Sequence, residues 1–109
     1  MAPPANTPPS RRKLVGDALA RLLPAVPAFD RTEIVDHALL SPGLLRASPE
    51  AAAWLSAVAH IRHVHTEYDA LLEQGYGVEA ARHFTLTAIN DTLAEWGCRR
   101  RLSADEGDA

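Results

Sequence analysis

The sequence predicts an all-α fold: a small four-helix domain in which two short N-terminal helices pack on a long antiparallel helical hairpin. Three observations carry this expectation. Apolar residues recur at steps of three and four along four separate stretches, which places them on one face of a helix. Residues that start helices precede these stretches, and proline or glycine follows them. No segment shows the alternation of a half-buried strand.

Residues 1–9, with four prolines, read as a disordered N-terminal tail, and the helical domain spans 10–102. In SRRKLVGDALARLLP, Leu14, Val15, Ala18, Leu19 and Leu22 share a face between a Ser10 cap and a stop at Pro24. DRTEIVDHALL opens with Asp30 and Glu33 at capping-box spacing and runs to Leu40, where Pro42 and Gly43 break it. The third stretch, residues 48–75, begins with a Ser48 cap, Pro49 at the first helical position and Glu50, and Gly75 closes it. Within it Trp54, Val58, Ile61, His65, Tyr68 and Leu72 form one stripe, which predicts a continuous helix of about 39 Å. Thr66 and Asp69 carry a competing signal, a second capping box that would restart the helix. After a turn at Tyr76 and Gly77, the last helix carries Val78, Arg82, Leu86, Ile89, Leu93 and Trp96 and stops at Gly97. Residues 103–109 read as an acidic disordered tail.

Composition excludes several classes. With 47% hydrophobic and 23% charged residues, the chain has a globular profile. The net charge is −3, and the tail residues Asp105, Glu106 and Asp108 account for that excess, so no basic field spans the molecule. One cysteine, Cys98, excludes an internal disulfide and a cysteine-based zinc finger, and its place at a helix C-terminus reads as an inert thiol. No stretch approaches the roughly 20 apolar residues that span a bilayer. Residues 1–10 lack the apolar core of a signal peptide. The expected location is the cytoplasm, with no membrane contact and no cofactor.

The chemistry concentrates in HIRHVHTEYD, residues 60–69. On a continuous helix the three histidines diverge, and a site using all of them requires a break at Thr66. His60, His63 and Glu67 then lie on the solvent side, with the spacing of candidate Zn²⁺ or Ni²⁺ ligands but no further convergent group. His65 and Asp69 face inward one turn apart. Folding the hairpin about Tyr76 brings Asp69 level with Arg82, which occupies the apolar stripe of its own helix. Arg62, His65, Asp69 and Arg82 are therefore expected to form a polar cluster, centred on an Asp69–Arg82 contact. Such a cluster either clasps the two helices in register or offers an Arg/His pocket for a phosphate or carboxylate.

Arg62, His63 and the run Arg99, Arg100 and Arg101 are the candidate nucleic-acid contacts, against a bland reading as a solvated helix end. Trp54 and Trp96 are expected in the core, and Phe84, off the stripe of its helix, is expected to pack on the first two helices.

LARLLPAVP, AHIRHVHTEYDALLEQG, then EAAR and LAEW together resemble a bacterial and fungal family of unassigned role, domain of unknown function 2293. The resemblance runs from about Leu14 to Trp96; RHVHTEYDALL is its most specific part, and GYGVEAAR departs from the family pattern. It implies a fold and no activity. The functional expectation is a non-enzymatic binding module that contacts protein, a second copy of itself included. A nucleic-acid-binding regulator is the alternative from another class. A metal-binding or acid–base enzyme using the block from His60 to Asp69 is the third; no nucleophile or oxyanion donor accompanies it, and an enzyme is the less favoured reading.

Overall fold

Serine and proline set where the helices begin. The computed structural model describes residues 7–106, so the expected tails at 1–9 and 103–109 fall partly outside the described residues. The fold is all-α, with α1 (Arg11–Leu22), α2 (Ala28–Leu40), a 3-10 turn at Pro42–Leu44, α3 (Pro49–Val64), α4 (Tyr68–Glu73) and α5 (Val78–Glu95). Ser10 and Ser48 cap α1 and α3, their hydroxyls accepting the amides of Lys13 and Ala51 at 3.1 Å. Each satisfies an amide that the first helical turn leaves without a partner.

The three N-terminal helices pack on one another. Val15, Leu19 and Leu23 from the α1 region, Ile34 and Ala38 from α2, and Ala52, Ala57, Val58 and Ile61 from α3 are buried together. Each fully buried aliphatic side chain of Leu or Ile size contributes about 1.5–3 kcal/mol. Trp54 and Trp96 join this core, 4% and 6% exposed. Arg11 straps the α2–α3 connection to α1: its Nη2 donates to the carbonyls of Leu44 (2.9 Å) and Ala47 (2.8 Å).

The long third helix departs from expectation. α3 ends at Val64, His65 caps it with φ −112 and ψ 6, and α4 starts only at Tyr68. Thr66 supplies the physical reason. Its hydroxyl donates to the Arg62 carbonyl and accepts the Tyr68 amide at 3.2 Å, local bonds that compete with the helical ladder. The stripe keeps its phase across this interruption, since Ile61 and Tyr68 are both buried, yet phase alone does not require unbroken backbone bonding. The helix restarts after Thr66, but not through the Thr66–Asp69 capping box: Glu67 is the N-cap without a side-chain cap, and Asp69 pairs with His63.

A second correction concerns Asp30. α2 begins three residues earlier than the capping box implied, with Pro27 (φ −61) at the N-cap and no side-chain cap. Asp30 therefore lies inside the first turn and points inward, only 7% exposed.

Both closing glycines hold the left-handed conformation that ends a helix, Gly75 at φ +98 and Gly97 at φ +82. After α5, the Gly97 amide reaches Ala94 O (3.0 Å) and the Cys98 amide reaches Leu93 O (2.9 Å). α4 and α5 form the antiparallel hairpin. The buried face of α5 is Ala81, Thr85, Ile89 and Leu93; Val78 is 48% exposed, and Arg82 and Leu86 are half-buried. Phe84 does not pack on α1 or α2. It is 58% exposed and meets Tyr76 edge-on, ring centres 5.6 Å apart.

Beyond α5 the chain folds back. Asn90 grips Leu102 twice, donating to its carbonyl (3.0 Å) and accepting its amide (2.7 Å). Glu106 accepts from Trp54 Nε1 (3.2 Å) and Arg100 (3.1 Å), and the Arg100 guanidinium lies 3.9 Å above the Trp54 ring.

Candidate functional site

The break at Thr66 turns His65 back toward the N-terminal helices, and two histidines then converge on one carboxylate. His60 from α3 and His65 from its end both direct Nε2 at Asp30 Oδ1, at 2.8 and 2.6 Å. Asp30 comes from the first turn of α2, with 10% of its side chain exposed; His60 is 8% exposed and His65 36%. The His60 and His65 rings stand 5.7 Å apart, and the Trp96 indole at the end of α5 packs 5.3 Å from His65 and 6.5 Å from His60. Three segments distant in sequence thus meet at a site with one open side, toward His65.

Burial alone would raise the Asp30 carboxyl. Hydrogen bonds from His65 and then His60, with the favourable charge interactions of both, outweigh it and hold the group below its ordinary range. A buried carboxylate accepting two donors is stable as the anion, whereas an unpaired one would be costly.

His37, near the end of α2, sits beside this group. Its Nδ1 pairs with Ser56 Oγ at 2.9 Å. Burial, followed by the charges of His60 and His63, lowers its pKa below the ordinary histidine value. A Ser–His contact invites a nucleophilic reading, but Ser56 is 0% exposed, and no substrate reaches it. The pair is structural.

The remaining candidates separate into two groups. His63 turns outward and pairs with Asp69 at 2.7 Å, both side chains more than half exposed, and its ring meets Tyr68 edge-on at 5.4 Å. His60, His63 and Glu67 do not share a face: His60 is in the interior with Asp30, and Glu67 is exposed. His65 serves Asp30, and Asp69 serves His63.

Arg62 is buried, 4% exposed, with its guanidinium 5.6 Å from the Tyr68 ring centre. It lines a cleft of about 270 Å³ together with Glu79, Arg82, His83, Leu86, Ile89 and the segment from Leu102 to Glu106. Asp69 is not part of that lining. Arg99 and Arg101 are exposed, while Arg100 is engaged by Trp54 and Glu106.

Sequence reasoning missed Asp30 as the centre of the site. No local signal pointed to it; the condition that converging histidines require a break at Thr66 bore on the histidines alone.

None of the helices is long and apolar enough to cross a membrane, among the described residues. No curated protein and no solved structure matches the chain. Residues 18–97, most of the helical domain and every residue of the Asp30–His60–His65 group, match the model of a family described as an uncharacterised conserved protein (DUF2293), and the chain belongs to that family.

Proposed function

We propose that the protein is a non-enzymatic binding module that holds an acidic segment of a partner protein in the Arg62–Arg82 cleft. One observation carries this reading: two arginines, one from α3 and one from α5, line a single cleft together with His83, Glu79 and the apolar side chains of Leu86 and Ile89. Guanidinium groups suit carboxylates because they offer paired donors in a fixed fork, and the apolar part of the lining accepts the side chains between the acids. The chain's own Asp105 and Glu106 are also part of the lining, so acidic polypeptide already borders the cleft. Nucleic acid is less well supported. Arg100 is stacked on Trp54 and bonded to Glu106, which interrupts the basic run, and the net charge is −3.

The test is fluorescence anisotropy with a labelled peptide of alternating acidic and apolar residues. Binding that weakens by about 10-fold or more in Arg82→Gln, and falls with added salt, supports the reading. Equal binding by the variant, or tighter binding of a single-stranded RNA of the same length, overturns it.

A further inference from the structure

We infer that Asp30, His60 and His65 form a binding site for a divalent transition ion of the zinc class. This does not depend on the reading of the arginine cleft, since the two sites share no residue.

The donor set carries the inference. Two imidazole nitrogens and one carboxylate oxygen, each a common ligand for Zn²⁺, lie within 4.8 Å of one another. Both Nε2 atoms aim at the same oxygen, Asp30 Oδ1, rather than at the two oxygens separately. Ligand atoms about 2.0–2.1 Å from a tetrahedral ion stand about 3.3 Å apart. The two nitrogen–oxygen separations of 2.6 and 2.8 Å therefore open by about 0.5–0.7 Å, and the two nitrogens, within 4.8 Å of each other, settle to a similar spacing by side-chain rotation.

The surroundings suit an ion. Asp30 and His60 are nearly enclosed, which protects the bonds from competing water, while His65 is 36% exposed and leaves an approach. His65 is also the C-cap of α3, where its amide still bonds the Ile61 carbonyl (2.8 Å), so the backbone is anchored while the partly exposed ring can swing. Three protein ligands leave a fourth position for water, the arrangement of an open rather than a closed zinc site. The carboxylate brings one negative charge to offset the two positive charges of the ion. On binding, each imidazole gives up its Nε2 proton, to solvent if the ring is charged or to its own Nδ1 by exchange with water if it is neutral, and so ligates as the neutral ring. The soft thiolates that would favour copper(I) or an iron–sulfur cluster are missing from this set, so the site fits a borderline ion.

Trp96 provides a reporter, because its indole packs on both rings. The full chain, first stripped with chelator, is titrated with Zn²⁺ by calorimetry and with Co²⁺ by visible absorption and tryptophan fluorescence. The expected result is one ion per chain, a raised thermal midpoint with Zn²⁺, and quenching by Co²⁺. His65→Ala, a change at an open helix end, should weaken affinity by more than the roughly 10-fold that an outer-shell change costs. Asp30→Asn tests the carboxylate while keeping a polar group in place. His63→Ala and His83→Ala should bind like the parent. Failure to bind Zn²⁺ stoichiometrically, binding that survives His65→Ala, or equal loss in His63→Ala overturns the assignment. Circular dichroism of each variant separates lost binding from lost folding; if Asp30→Asn unfolds, His65→Ala alone decides.

Discussion

Two regions of this molecule contain the same three components and use them differently. At the junction of α2, α3 and α5 stand a histidine–carboxylate contact (His60 and His65 on Asp30), an aromatic ring (Trp96) and a left-handed glycine (Gly97). On the outer hairpin stand another histidine–carboxylate contact (His63 on Asp69), aromatic rings (Tyr76 and Phe84) and another left-handed glycine (Gly75). The contact distances agree closely, from 2.6 to 2.8 Å. Their surroundings do not. Asp30 is 10% exposed and Asp69 55%, so water competes for one and hardly for the other. The difference teaches that a contact distance carries little energetic information until its burial is known.

The largest expected effect comes from removing the interior carboxylate. Asp30→Ala strands two imidazoles in a largely closed space and should cost about 3 kcal/mol in urea denaturation. Asp69→Ala should cost under about 1 kcal/mol. Similar costs for the two would end the distinction between interior and surface.

Acidification acts on the same interior groups more gently. The folded pKa of Asp30 is lowered. Its stabilising contribution is therefore present above the unfolded value of about 3.9 and is lost as pH falls through the folded value. His37 is lowered as well, so its contribution is complete above about 6.5 and declines as pH falls toward its folded value. Chelator-treated protein should lose stability in two stages, one below about pH 6.5 and one below about pH 4. Stability rising on acidification through either range would contradict both assignments.

The glycines give the third contrast. A Cβ at Gly97 would lie 2.9 Å from Pro24 Cγ, while at Gly75 it meets open space. Gly75→Ala should cost about 1 kcal/mol for its left-handed backbone alone. Gly97→Ala should cost about 1–2 kcal/mol more, because Pro24 must also move. The thermal midpoints of the two variants measure the gap.

The smallest effect is the coupling between His63 and Asp69. A double-mutant cycle should return under about 0.5–1 kcal/mol, falling with added salt. A salt-independent coupling would mean that the outer pair is shielded from water.

The same division by range explains what the sequence makes legible. Ser10, Ser48, Gly75 and Gly97 act within a few residues of themselves, so the helix boundaries that they govern are readable from local pattern. Thr66 is also local, but two local signals conflict there, and a stripe that stays in phase conceals a break in the backbone. Asp30 is unreadable for another reason. It lies 30 residues from His60 and 35 from His65, and a capping-box spacing gave it a local role that Pro27 in fact takes. The outward placement of His60 follows from treating its helix as a surface element, which packing by α2 and α5 reverses. Asp69 faces outward rather than toward Arg82, because the bend at Thr66 lets His63 reach it.

The grip of Asn90 on Leu102 bears on how the chain meets proteases. Arg99, Arg100 and Arg101 form a run that trypsin-like enzymes favour, and such enzymes require several residues on each side of the cut to extend into their groove. Here Leu102, immediately after the run, has its amide and carbonyl both held by Asn90, while Arg100 within it lies against Trp54. The run is exposed in surface area yet restrained in backbone, so cutting there requires local opening first. Susceptibility at this run thus becomes a readout of how often the C-terminal segment lifts from Trp54.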